Sequence, residues 1–327
     1  MGVTPDSSEM GRGSRPRAVV TGGAGFIGSH LVEALVAEGW RVGVVDDLSS
    51  GSASRVPPEA ELVAADVRSP QARDFVVRFR PHAVAHLAAQ VSVARSVGDP
   101  VLDADVNVVG TIAILLASRE AGVRRVVFAS SAAVYGAPAY LPIDEGHPTR
   151  PLSPYGISKL AGEHYVRVLA EAWGAGWVVL RYANVYGPRQ DAQGEAGVVA
   201  VFADRVVRGE GALPVHGDGL QTRDFVYVGD VAEATLRAMT LDAAAGRILN
   251  VGTGQETSVL ELAEAIWRAA GRQGPLPVEH QPARPGDIRH SRLDVRQAAD
   301  GLGWRASVGL EEGLRRTLGA MSRREAS

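Results

Sequence analysis

The chain has 327 residues, 46% hydrophobic and 22% charged, with a net charge of −3 and no cysteine. That hydrophobic content excludes a disordered chain, and the mild acidity gives no field for nucleic acid. The missing cysteine excludes disulfides, thiolate nucleophiles and zinc–thiolate sites.

Residues 1–16 are rich in Gly, Ser, Pro and Arg without an apolar stretch, which reads as a flexible leader rather than a secretory signal. Apolar runs such as Val106–Leu116 are interrupted and fall short of the ~20 residues that span a bilayer. A cytoplasmic protein with no membrane or nucleic-acid partner is expected. Beyond the leader, Arg17–Thr21, Arg41–Asp46, Glu61–Ala64, Ala83–Leu87, Arg125–Ser130, Trp177–Tyr182 and Arg247–Val251 read as buried strands. Ile27–Ala37, Pro70–Phe79, Val108–Ala121 and Tyr155–Ala172 carry helical patterns between them. This alternation predicts an α/β, Rossmann-type, doubly wound parallel sheet. After Asn184 the connections turn Gly- and Pro-rich, with helical patterns at Ala200–Arg208 and Val259–Ala270, which suits a smaller C-terminal substrate-binding lobe. The expected division is 17–183 with about 225–255 as the sheet domain, 184–224 with 256–320 as the lobe, and 321–327 as a tail.

The first strand runs into Gly22, Gly25 and Gly28 and then a helix. A pyrophosphate at a helix N-terminus needs close backbone approach, which side chains there would block. By itself the spacing also fits any tight strand-to-helix turn. The second strand ends at Asp46-Asp47, where an acidic residue can accept both hydroxyls of an adenine ribose and repel a 2′-phosphate. NAD is therefore favoured over NADP. The third strand is followed by Asp66-Val67, suitably placed for the adenine edge.

Of the 34 basic residues 33 are arginine; the one lysine is Lys159, a helical turn after Tyr155. The two share a helix face. A phenol with a pKa near ~10 is a poor base at neutral pH, and an adjacent ammonium makes it a usable one. Lysine can also reach ribose hydroxyls as a compact charge, which a planar guanidinium does not copy. The plainer alternative is a solvated lysine beside a core tyrosine. The fifth strand leads to Ser131, whose hydroxyl can bond both Tyr155 and a substrate hydroxyl.

With these residues in place, the chain resembles the extended short-chain dehydrogenases/reductases, and among them the UDP-glucose 4-epimerase family. The matching stretches include TGGAGFIGSH (21–30), VVDDLSSG (44–51), HLAAQ (86–90), DVNVVGT (105–111), ASSAAVYG (129–136), SPYGISK (153–159), RYANVYGPRQ (181–190) and RPGDIRHS (284–291). The resemblance covers about residues 17–320. It implies a catalytic triad of Ser131, Tyr155 and Lys159. It implies NAD contacts at Gly22, Gly25, Phe26, Ile27, Gly28, Asp46, Asp47, Asp66, Val67, Leu87, Ala88, Ala89 and Tyr182, with Tyr155 and Lys159. Substrate contacts are implied at Ser131, Asn184, Val199, Val215, Arg223, Arg284, Asp287 and Ser291. Arginines suit a diphosphate and a carboxylate suits ribose hydroxyls; surface solubility is the plainer reading of Arg223 and Arg284. Relatives dimerise through a four-helix bundle, and Val93–Ser96 with Val108–Ala121 suggest the matching helix pair, so a homodimer is implied.

Departures from the family pattern narrow the activity. Ala132-Ala133 stand where dehydratases carry acidic residues, which disfavours loss of water. Asp191 would repel a sugar carboxylate, which argues against a UDP-glucuronate epimerase. Ser291 replaces a bulky Tyr of some relatives and leaves volume for an N-acetyl group. The expected activity is NAD-dependent 4-epimerisation of UDP-glucose/UDP-galactose, with UDP-GlcNAc/UDP-GalNAc accepted beside them. A net dehydrogenase or reductase and a non-catalytic NAD-sensing protein are the alternatives. No metal is expected, since the eight histidines are scattered. His86 reads as a hydrogen-bonded scaffold residue, and His216 as part of a strand near the uracil.

Overall fold

Side-chain alternation along the central strands decides the layering of the protein, whose computed structural model describes residues 15–191, 197–283 and 286–325. One parallel sheet contains β1 (Arg17–Thr21), β2 (Arg41–Asp46), β3 (Glu61–Ala64), β4 (Ala83–His86), β5 (Arg125–Ser131), β6 (Gly176–Tyr182) and the strand Arg247–Val251. Their spatial order is Arg247–Val251, β6, β5, β4, β1, β2, β3. Successive side chains enter opposite layers. Ala18 and Val20 join Leu31, Leu35 and Val231 on one face, while Val19 joins Phe75, Ile114 and Val166 on the other. Helices cover both faces, which is why these strands read as unbroken apolar runs.

The chain leaves β1 toward β2 and β3, then crosses back to β4 on the other side. The gap between the C-terminal ends of β1 and β4 is therefore the switch point at which such sheets bind ligands. Register aligns that edge, with Thr21 opposite His86 and Ser131 opposite Tyr182.

Local signals start and stop the helices that line this edge. The Ser153 hydroxyl accepts from the Gly156 amide at 3.1 Å, and Pro154 opens the helix Pro154–Trp173. Gly174, with φ 78°, closes it in the left-handed region. Ser69 and Pro70 open Pro70–Phe79 in the same way.

One expected helix differs. Val108–Ala121 is the second half of a longer run, in which Pro100–Ala104 passes through a π-type segment, Asp105–Val109, into Gly110–Ala121. The whole run, Pro100–Ala121, is long and apolar enough to cross a membrane by composition, which counting Val106–Leu116 alone overlooks. In this fold it packs between Pro70–Phe79 and Pro154–Trp173, burying Asp103, Asn107 and Thr111 along with Ile114 and Leu115. It is a layer helix with a polar inner face.

The lobe has its own apolar cluster, built from Tyr186, Phe202, Leu213, Phe225, Leu262, Ile266 and Leu314. Short strand pairs frame it: Leu213–His216 with Val278–Gln281, Thr222–Arg223 with Thr257–Ser258, and Asn184–Tyr186 with Phe225–Tyr227. Between these segments, Arg247–Val251 returns to the main sheet beside β6.

Candidate functional site

Two glycines set the turn after β1. Gly22 has φ +70°, and a Cβ there would lie 2.7 Å from the Ala88 nitrogen. A Cβ on Gly28 would lie 2.0 Å from the Gly22 oxygen. Only glycine lets the end of β4 and the helix Phe26–Ala37 close on this turn. Gly25 flanks that helix and no side chain caps it, so the Phe26, Ile27 and Gly28 amides have no intrahelical acceptor. Free amides at the positive end of a helix, over a floor of glycine, fit a dinucleotide diphosphate.

Asp46 ends β2 on the same edge and is 6% exposed. Its Oδ2 accepts from the Ala24 amide and its Oδ1 from the Leu48 amide, each at 2.9 Å. Burial pushes its pKa up and these two amides oppose the shift. Asp47 is exposed, and its carboxylate accepts from the Ser49 amide at 2.9 Å and hydroxyl at 2.6 Å. Sequence reasoning gives Asp66 to the adenine edge; here its carboxylate accepts from Arg68 Nε at 2.8 Å, which holds it below the usual carboxylate range. Val67 is buried against Gly110. Leu87, Ala88 and Ala89 are half-buried at the switch point, where the Leu87 and Ala88 amides bond the Thr21 main chain and hydroxyl. The Tyr182 ring belongs to the core, and its hydroxyl bonds Thr235 at 2.7 Å, so it offers the cleft no polar group.

His86 is a scaffold residue. Its Nδ1 lies 2.6 Å from the Thr21 hydroxyl and its Nε2 3.0 Å from that of Thr111. Burial, with the Lys159 charge second, pushes its pKa down to about 3. The ring is neutral at physiological pH.

The three residues expected to do chemistry come together at the end of β5. The Ser131 hydroxyl accepts from the Ala133 amide at 3.1 Å and faces the Tyr155 side chain. Tyr155 lies in the first turn of its helix, with its amide donating to Ser96 Oγ at 3.1 Å. Lys159 is 4% exposed; its Nζ donates to the Ala129 carbonyl at 3.0 Å and lies 6.0 Å from the Tyr155 ring centroid. Burial raises the Tyr155 pKa, and the Ser131 hydroxyl opposes the shift. Burial lowers the Lys159 pKa to about 8. A phenol, a hydroxyl and a nearby ammonium can together move one proton at a substrate hydroxyl.

On the lobe side, Asn184 is exposed and its amide donates to the Asp224 carbonyl at 2.9 Å. The structure joins two expected substrate residues directly, because the Arg223 guanidinium pairs with Asp287. Arg223 Nη1 also donates to the Ile288 carbonyl at 2.6 Å. Beside this pair lies a cavity of ≈ 270 Å³ lined by His216, Gln221, Asp287 and Arg289, among others. Val199 and Val215 are 1% and 0% exposed within the lobe's apolar cluster, so their side chains serve the core. Ser291 is half-buried. Arg284 lies outside the described residues.

Sequence reasoning missed the polar layer behind the triad. Asp103, Asn107 and Thr111 form a polar stripe at one-turn spacing within an apolar helical run, which is the signal that could have found them. Asn107 Nδ2 donates to the Gln90 carbonyl, to Asp103 and to Ser158 Oγ, at 2.9, 3.2 and 3.1 Å. A second missed element is the buried ion pair Glu163–Arg181, closed at 2.6 Å, with Ser130 donating to Glu163 at 2.5 Å. Glu163 lies one turn after Lys159.

Comparisons with known proteins agree with this geometry. The model of the NAD dependent epimerase/dehydratase family matches residues 18–252. A UDP-glucose 4-epimerase of Mycolicibacterium smegmatis is 46% identical, covering 92% of this chain and 97% of its own length. The UDP-glucose 4-epimerase of Thermus thermophilus, solved in complex with NAD, superposes with a TM-score of 0.87 at 45% identity, over 95% of this chain and 100% of that one. That of Thermotoga maritima, solved with UDP-glucose, gives 0.89 at 42% identity with the same coverage.

Proposed function

The chain belongs to the NAD dependent epimerase/dehydratase family, and we propose that it is an NAD-dependent UDP-hexose 4-epimerase in which Tyr155 is the acid/base. The observation that carries this reading is the meeting of Tyr155, Ser131 and Lys159 at the switch-point edge, beside the glycine turn. Gly22, Gly25, the amides of Phe26, Ile27 and Gly28, and Asp46 would hold the dinucleotide. Bound there, NAD would supply a hydride acceptor for the sugar's C4 and a hydride donor to the resulting ketone.

Tyr155 takes the proton of the 4-hydroxyl as C4 becomes a ketone, and gives it back when the opposite face is reduced. Ser131 orients that hydroxyl and steadies the phenolate through its hydrogen bond. Lys159, one turn away, favours the phenolate electrostatically. Ala132 and Ala133 offer no second acid or base, so the 4-keto sugar keeps its 6-hydroxyl. The proton and the hydride both return, so no net oxidation occurs. Arg223 and Asp287, with Arg284, hold the nucleotide diphosphate and its ribose, and Asn184 reaches the diphosphate side. The names of the relatives support a UDP-hexose. We place the enzyme in the cytoplasm.

A homodimer completes the reading. Val93, Val97 and Val101 are 46, 64 and 77% exposed, and Leu116, Ile157 and Val168 extend the same apolar exposure over neighbouring helices. Such a stripe calls for a covering surface.

The test is incubation of purified protein with UDP-galactose and no added cofactor, following sugar products and NADH absorbance. UDP-glucose without net NADH is expected. Stoichiometric NADH would favour a dehydrogenase. Tyr155→Phe matching wild type, with neither turning over, would favour a non-catalytic NAD protein.

A further inference from the structure

Four ionisable side chains are enclosed behind Tyr155: Lys159, Glu163, Arg181 and Asp103, at 4, 3, 3 and 1% exposure. Charges this deep need partners, because removing one member of a buried pair strands the other. Glu163 and Arg181 satisfy each other. Arg181 Nε reaches Glu163 Oε1 at 2.9 Å and Nη2 reaches Oε2 at 2.6 Å, in a bidentate fork. Lys159 donates to a neutral acceptor, the Ala129 carbonyl. Asp103 Oδ1 accepts from neutral amides, Gln90 Nε2 at 2.9 Å and Asn107 Nδ2 at 3.2 Å. Its Oδ2 is buried without a hydrogen-bond partner among the described residues.

One cation and one anion are thus left over, and Asn107 links them, since its Nδ2 donates both to Asp103 and to Ser158, the chain neighbour of Lys159. We propose that Asp103 is the buried counter-ion of Lys159, a positioning residue that keeps the lysine protonated beside Tyr155.

The groups that face Lys159 are few. From its own helix come Tyr155 and Glu163, from β4 comes neutral His86, and from Pro100–Ala104 comes Asp103. Burial drives the lysine toward its neutral form; Asp103 is the strongest opposing charge and Glu163 the next. Glu163 already has a cation of its own in the Arg181 guanidinium. Asp103 also disfavours the Tyr155 phenolate, though less than burial does. Its Oδ1 is fixed by two amides whose other contacts run to Ser92 and Ser158, so the carboxylate cannot swing away. The amides hold the carboxylate in the enclosure, and its negative charge is what opposes loss of the lysine's proton.

The single lysine makes a direct test possible, because protein labelled with ¹⁵N at lysine Nζ gives one side-chain resonance. Wild type should titrate at about 8. Asp103→Asn keeps the shape and removes the charge, and should lower that midpoint by about one unit or more. Asp103→Glu disturbs the amide contacts but keeps the charge, and should stay close to wild type. Asp103→Ser, smaller and neutral, makes the same demand as Asn if the added amide protons prevent folding. A wild-type midpoint in the neutral variants, or equal shifts in neutral and charged variants, would overturn the proposal. The alkaline limb of UDP-galactose turnover should move to lower pH in step with the resonance. The inference goes beyond the epimerase reading: the titration needs no substrate, so absent turnover would sink that reading and leave this one standing.

Discussion

Lys159 stands one helical turn beyond Tyr155, with its Nζ 6.0 Å from the tyrosine ring and 3.0 Å from the Ala129 carbonyl. It therefore ties its helix to β5 and places its charge beside the acid/base group. A guanidinium is planar and forked, and cannot occupy this enclosed point without displacing Phe128, whose ring centroid is 5.2 Å away. Lys159→Arg should lower kcat by about 100-fold or more, while the exposed exchange Arg73→Lys leaves it unchanged. Wild-type turnover should also decline as pH rises through about 8, where Lys159 loses its proton. The residual activity of Lys159→Arg should lack that limb, because arginine stays protonated. Wild-type kinetics for the variant would make the single lysine an accident of composition.

His86 links folding to pH. Its folded pKa, pushed down to about 3, lies below the ordinary value of 6.5. The unfolded chain therefore binds this proton first as pH falls. The stability tied to neutral His86 is fully present above 6.5 and is lost as pH drops toward 3. His86→Asn has no charged form, so its urea midpoint should fall less steeply than that of wild type between those limits. Parallel curves would show that His86 is protonated without penalty.

The Glu163–Arg181 pair predicts an asymmetry between single and double changes. Glu163→Met should cost about 3–5 kcal/mol by leaving Arg181 buried and unpaired. Glu163→Met with Arg181→Met should cost far less than the sum of the single losses. Denaturant midpoints of the four proteins decide it, and additive losses would mean that water reaches the guanidinium.

Ser291 governs the room beside the sugar in the epimerase reading. Ser291→Tyr should depress turnover of UDP-GlcNAc by about 10-fold or more relative to UDP-galactose, the scale of a steric contact in a pocket. Equal loss on both substrates would remove Ser291 from the specificity argument.

Much of the site was readable from the chain because it is local. Gly22, Gly25 and Gly28 fall within one turn and the start of one helix, and Tyr155 and Lys159 within two turns of another. Asp46 was readable because β2 had to end where its apolar run ended. The roles of Val199 and Val215 were less accessible. A valine in a lobe has the same sequence signature whether it lines a ligand or fills the core, and the tertiary structure puts both in the core. Tyr182 is similar, since Thr235, which holds its hydroxyl, is 53 residues away.

By itself, the sequence determined the parallel sheet, the glycine turn and the pairing of phenol with ammonium, because strand and helix periodicities place neighbouring residues without further information. Only the tertiary structure decided which charges share an enclosure. Arg223 meets Asp287 across 64 residues, Glu163 takes Arg181 from the next strand, and Asp103 is left to face Lys159. Burial makes those pairings matter, and burial belongs to the packing of layers rather than to any one segment.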